Sequence, residues 1–285
     1  MADRSVPFED CVRTVRRALD AGLNLIDTAP GYEDGYSEEI VGAAVKGRRN
    51  GLFVIDKIDH PLDPVAPQAD DSLRRLGLDG VDAFVLHAVS KAEDWAQIAA
   101  PGGAMDQLDS CRRAGKCRFR GISSHHPDVL ESAIESGLCD IVLFPIGPFC
   151  DARYVDRVLP LANRTGVGTV GFKTFGAGKL LGDTTGYGRP LEKRPRGKLS
   201  SGGKAGREGA GALPCLSARE CVHYTLTCDP DVALLGLSFP NEQDAAFEAA
   251  RDFKPLGLEA MADIRRRAAE AVQGKGPCWW NAPAE

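Results

Sequence analysis

The sequence predicts a (β/α)8 TIM barrel, of the α/β class, that lacks its first strand, and three observations carry the prediction. Seven short apolar runs, at 23–27, 52–57, 81–87, 118–123, 140–146, 167–175 and 232–239, alternate with segments of helical periodicity. These runs are continuously apolar, as in parallel strands whose two faces are both covered. A chain of 285 residues also suits a barrel of about 250 residues, and no G-x-G-x-x-G opens a helix after any run, which disfavours an open dinucleotide fold.

The first element is a helix, because Phe8, Val12, Val15 and Leu19 recur on one face and Gly22 then supplies a stop. Helices are predicted between the apolar runs over 37–49, 64–76, 104–115, 127–137, 151–165, 217–228 and 241–252. Seven strands leave a seam beside 23–27 with unpaired backbone groups, so the missing strand lies upstream, is absent, or is replaced by another element. The whole chain, 1–285, reads as one barrel domain with two additions. The first is 183–214, a long Gly-, Lys-, Arg- and Ser-rich loop with seven basic and three acidic residues, either a solvated insertion or a lid for an anionic ligand. The second is 256–285, a further helix at 256–273 and then a tail whose adjacent Trp279 and Trp280 favour docking, either lining the substrate pocket or capping the barrel base.

Composition narrows the function. A formal charge of −5, without long charged blocks, gives no footprint for nucleic acid or an anionic membrane, and no stretch approaches the ~20 apolar residues of a membrane span. Nine cysteines, an odd number without a C-x-x-C pair, read as reduced core thiols, and the start Met1-Ala2-Asp3-Arg4 leads into no apolar run of signal-peptide length. A cytoplasmic protein acting on a small molecule is expected. No H-x-H or H-x-x-x-H pair suggests a metal site.

Three polar residues stand where the first three runs end: Asp27, Lys57 and His87. In a barrel, such positions face the catalytic end. With Tyr32 they read as a proton-transfer site: a buried lysine lowers the phenol pKa, a carboxylate keeps that lysine charged, and a neutral histidine hydrogen-bonds a substrate carbonyl. Tyr36 competes for the tyrosine position, since Glu33-Asp34-Gly35-Tyr36 lengthens the loop, but the spacing from Asp27 favours Tyr32.

The segment Gly22 to Tyr32, with Asn24, Asp27-Thr28-Ala29 and then Ser37-Glu38 and Gly42, resembles the aldo-keto reductase signature, and the resemblance runs from residue 8 to about 255. It implies NAD(P)H-dependent carbonyl reduction, with Asp27, Tyr32, Lys57 and His87 as the catalytic tetrad. The cofactor half departs from the family pattern. Ser123 and Ser124 stand where the family has Ser-Asn on the nicotinamide carboxamide, and Leu143 replaces a Gln that many members place there. Phe172 matches the aromatic residue that stacks on the nicotinamide, and the turn with Lys173, Gly176 and Gly178 would admit a pyrophosphate. Around Ser238 and Pro240, Gly236 and Glu242 replace the Lys and Arg that grip a 2'-phosphate. The resemblance therefore implies NADP(H) or NAD(H), with relaxed selectivity or an NAD(H) preference.

Two other classes remain open at this level. One is a nicotinamide-binding sensor or subunit with little turnover; the other is an aldolase or lyase using Lys57 as a Schiff-base nucleophile. The substrate is a small carbonyl compound not otherwise specified, and an exposed seam or Trp tail would favour a homo-oligomer.

Overall fold

A computed structural model describes residues 4, 6–181, 215–236 and 240–281. Seven parallel strands follow one another in chain order: β1 (Leu25–Asp27), β2 (Phe53–Ile58), β3 (Val81–Leu86), β4 (Cys117–Ser123), β5 (Ile141–Pro145), β6 (Gly168–Phe172) and β7 (Val232–Ala233). The chain divides into two compact units, Met1–Phe144 with Asp156–Thr169, and Pro145–Val155 with Val170–Glu285.

In the first unit, α1 (Phe8–Asp20) buries Cys11, Val12, Val15, Ala18 and Leu19, the face expected from its apolar spacing. It is followed by α2 (Tyr36–Val45), α3 (Val65–Leu76), α4 (Ala92–Ala99), α5 (Ala104–Arg113), α6 (Pro127–Glu135) and α7 (Leu159–Thr165). The helix α4 was not among those expected: its eight residues bury only Trp95 and Ile98, too few contacts to stand out as a period. The helix expected over 151–165 runs from 152 to 165 and contains a wide π turn, Tyr154–Val158, ahead of α7. Pro160 favours the wider turn before it, since it lacks an N–H and its ring crowds the carbonyl four residues back.

Strand register sets the site. Asp27 pairs with Ile55, Lys57 with Val85, and Val85 with Gly121. Side chains repeat every second residue along a strand, so Asp27, Lys57, His87 and Ser123 share one face of the sheet, and the first three step along it by two residues per strand. Asp56 faces the opposite way, toward the helices.

In the second unit, Val170 pairs with Val232 and Gly171 with Ala233. The run expected to continue to 239 is a strand only at Val232–Ala233, with one further bond from Leu234 N–H to Gly171 O; 237–239 lie outside the described residues, as does the candidate lid 183–214. Helices α8 (Ala218–Thr227), α9 (Pro240–Arg251) and α10 (Leu258–Ala271) follow, α8 starting with a capping box between Ser217 and Glu220. The tail docks within this unit. Trp280 is fully buried, its indole N–H donating to Phe149 O at 2.9 Å, while Asn281 accepts from Asp151 N–H at 2.9 Å. Trp279 stays 55% exposed.

None of the nine cysteines is in a disulfide. Burial pushes the Cys117 thiol up to about 11 and Cys139 to about 12, which suits apolar filler and not nucleophiles.

Candidate active site

Asp27, Tyr32, Lys57 and His87 come together in the first unit. Lys57 Nζ lies 2.7 Å from each oxygen of Asp27 and donates to Thr28 O at 2.8 Å. The same ammonium sits 4.6 Å from the centroid of the Tyr32 ring, and the rings of Tyr32 and His87 meet edge to face at 5.7 Å. Tyr36 is elsewhere. Glu33, Asp34 and Gly35 take positive φ of 56°, 51° and 80°, so the extra loop residues are absorbed in a left-handed turn. Tyr36 then begins α2, buried against Phe8 with ring centroids 5.8 Å apart.

The electrostatics differ from expectation in one respect. Burial lowers the Lys57 pKa, but Asp27 and Tyr32 outweigh it, so the group is held above the ordinary lysine value and is an ammonium. Tyr32 was expected to fall and instead rises above 10. Enclosure of its phenol, together with the charges of Asp27 and Asp59, outweighs the pull of Lys57. Tyr32 as a whole keeps 38% exposure. The phenol is protonated at neutral pH.

Asp59 is the residue that the sequence did not reveal. It sits two positions beyond Lys57, its Oδ1 2.5 Å from His87 Nδ1 and its Oδ2 accepting from Gly31 N–H at 2.5 Å. Burial pushes its carboxyl up, but the bonds to His87 and Gly31 and the neighbouring cations hold it below the usual carboxylate range. No local pattern singled it out, because Lys57 already filled the place of the polar residue after the apolar run.

Behind the sheet, Glu38 and Asp56 are a buried carboxyl pair. Arg75 clamps Glu38 from α3. Burial and the Glu38 charge raise Asp56 well above the usual range, and its Oδ2 has no donor while both groups are ionised. A proton on Asp56 supplies one.

The residues expected on a cofactor divide between the units. In the first, Ser123 Oγ accepts from Ala88 N–H at 2.9 Å, which leaves its own proton to donate. Ser124 is fully buried, and its Oγ accepts from His126 N–H at 3.0 Å, so that hydroxyl is committed to its own loop. In the second, Phe172 ends β6, with Lys173 Nζ 5.4 Å from its ring centroid and 4.3 Å from that of Trp279. Gly176 and Gly178 lie in a tight turn whose amides donate to Lys173 O and Phe175 O, so these glycines offer close approach and not free donors. The Thr174 hydroxyl is buried without a hydrogen-bond partner. The orphaned Thr174 hydroxyl, beside an aromatic strand end and a lysine, is a buried donor that a bound polar group such as a nicotinamide dinucleotide would satisfy. Gly236 is exposed at the end of the described stretch after β7; Ser238 and the Glu242 side chain lie outside the described residues.

A parallel α/β sheet with Asp, Tyr, Lys and His gathered at successive strand ends defines a class, and the comparisons agree with it. A sequence model of the Aldo/keto reductase family matches residues 1–246, and the chain belongs to that family. It is 29% identical over 197 residues to the NADH-specific methylglyoxal reductase of Escherichia coli (strain K12), a match covering 61% of this chain and 59% of that protein. To L-galactose dehydrogenase of Arabidopsis thaliana it is 26% identical over 273 residues, covering 89% of this chain and 82% of the relative. The structure of an aldo-keto reductase from Klebsiella pneumoniae in complex with NADPH shares the fold at a TM-score of 0.66 and 20% identity, covering 94% of this chain and 88% of that one.

Proposed function

We propose that the protein catalyses NAD(P)H-dependent reduction of a small aldehyde or ketone to the alcohol, reversibly, with Tyr32 as the proton donor. One observation carries the reading: the Lys57 ammonium bonded to Asp27 lies against the Tyr32 ring in a cluster that also holds His87. A bound nicotinamide cofactor supplies the hydride. Tyr32, protonated at neutral pH, gives its proton to the carbonyl oxygen, and Lys57 stabilises the phenolate that remains. Asp27 keeps Lys57 charged and oriented, and His87 aligns the carbonyl.

On the cofactor side, Ser123, Phe172, Lys173, Thr174 and the turn at Gly176 and Gly178 would hold the dinucleotide, with Gly236, Ser238 and Glu242 at its adenosine end. Glu242, where the family resemblance implies an Arg, would repel a 2'-phosphate and accept from a free ribose hydroxyl, which favours tolerance of NADH. Relatives point both ways: one is named NADH-specific, and a structural neighbour holds NADPH.

The Schiff-base reading is set aside, because Lys57 is an ammonium engaged by Asp27 and Thr28. A slow or non-catalytic nicotinamide sensor keeps one observation in its favour, the Ser124 hydroxyl turned to its own loop. The test is loss of nicotinamide absorbance when the purified protein is mixed with NADH or NADPH and a panel of small aldehydes. Turnover with both cofactors is expected, and Glu242→Arg should shift preference toward NADPH. Cofactor binding without absorbance loss on any aldehyde would replace the reductase by the sensor.

A further inference from the structure

We infer that Asp59 is a positioning residue that pins a proton on His87 Nδ1, so that the opposite ring nitrogen, Nε2, donates to a substrate carbonyl only when the imidazole is doubly protonated. This deepens the reductase reading, and its kinetic arm rests on it.

Geometry comes first. Asp59 follows β2 and touches the two neighbouring strand ends at once, with Oδ1 2.5 Å from His87 Nδ1 and Oδ2 2.5 Å from Gly31 N, immediately before Tyr32. The approach is close enough that a Cβ on Gly31 would stand 2.5 Å from Asp59 Oδ2, so a side chain at position 31 would displace that carboxylate. One carboxylate therefore sets both the loop that carries Tyr32 and the plane of the His87 ring.

Chemistry fixes the proton. An ionised carboxylate is an acceptor at both oxygens, so the atom facing Oδ1 must be a donor. Asp59 is held in its ionised form. The neutral tautomer of His87 then carries its hydrogen on Nδ1 and a lone pair on Nε2, the reverse of what a neutral ring needs to donate to a carbonyl. Among the described residues, the ionisable groups at the ring are Asp59, from the loop after β2, and Tyr32, from the loop after β1. Lys57 and Asp27 join the cluster through Tyr32. No other carboxylate is bonded to the imidazole among the described residues, so removing Asp59 frees the tautomer.

The experiment pairs a spectroscopic and a kinetic readout on the full-length protein. With 15N-histidine labelling, and His87 assigned by its loss in His87→Gln, the nitrogen shifts of the parent should show Nδ1 protonated both when the ring is charged and when it is neutral. In Asp59→Ala the neutral ring should move to the Nε2-protonated form. For aldehyde reduction, parent kcat/KM should fall as pH rises through the His87 titration. That fall should flatten in Asp59→Ala, because its neutral ring can still donate from Nε2. Asp59→Glu, which restores a carboxylate, should return the parental tautomer. A parent whose neutral His87 carries its proton on Nε2 overturns the inference, and so does an Asp59→Ala profile that superimposes on the parent's. If no aldehyde is reduced at all, the reductase reading fails while the nitrogen shifts still decide the tautomer.

Discussion

Lys57 is bonded to Asp27 and Thr28 O and lies against the Tyr32 ring, and these surroundings set what the site can do. With its side chain 3% exposed, it depends on Asp27, so Asp27→Ala should strand a buried ammonium and cost about 3–5 kcal/mol of stability, read as a lower urea midpoint. Tyr32 is protonated below a pKa lying above 10. In its proposed role as general acid it would impose no loss on carbonyl reduction across neutral pH, and its own limb would come only in alkaline solution; alcohol oxidation, which needs the phenolate, should rise toward that limb. Asp56 behaves oppositely to a paired carboxylate. Its folded-state pKa is raised, so its contribution is most favourable below the unfolded value near ~4 and is lost as pH rises through the folded value. Asp56→Asn should therefore raise the melting temperature at pH 7 to 8, by about 1–3 kcal/mol in stability, and the gain should vanish near pH 4. An unchanged or lower melting temperature at pH 8 would contradict a proton held on Asp56.

At the scale of elements, the strand ends were legible because each placed a polar residue after an apolar run, and parallel register then put Asp27, Lys57 and His87 on one face. Tyr32 was legible from its spacing to Asp27, and the positive-φ turn at Glu33–Gly35 explains why the longer loop does not promote Tyr36. Asp59 was not legible, since its partners at Gly31 and His87 are each 28 positions away and nothing local marks it. The helix α4 and the π turn before α7 were likewise hidden, the first by its few buried residues and the second by a proline that periodicity counts treat as neutral. Helix α2 meets α3 at Gly42, where a Cβ would stand 2.2 Å from Leu76 O. Gly42→Ala must push the helices apart, at about 1–3 kcal/mol, visible as a fall of several degrees in melting temperature.

For the whole molecule, the proton-handling cluster lies within the first unit, and Phe172, Lys173 and the Trp tail lie within the second. The expectation that the tail docks is met by Trp280, and its truncation in Trp280→Ala should cost about 3–5 kcal/mol, measured by denaturant unfolding. The adenosine end of the cofactor site was read from sequence alone, because Ser238 and the Glu242 side chain fall outside the described residues. What the chain's own groups specify most fully is the proton. The most direct test is a single-turnover measurement on Tyr32→Phe loaded with reduced cofactor and mixed with an aldehyde that the parent reduces. Cofactor binding should persist by fluorescence while nicotinamide absorbance stays constant over many parental turnover times. Absorbance loss within about tenfold of the parental rate, against the 10²–10⁴ expected of a lost general acid, would show that Tyr32 is not the proton donor.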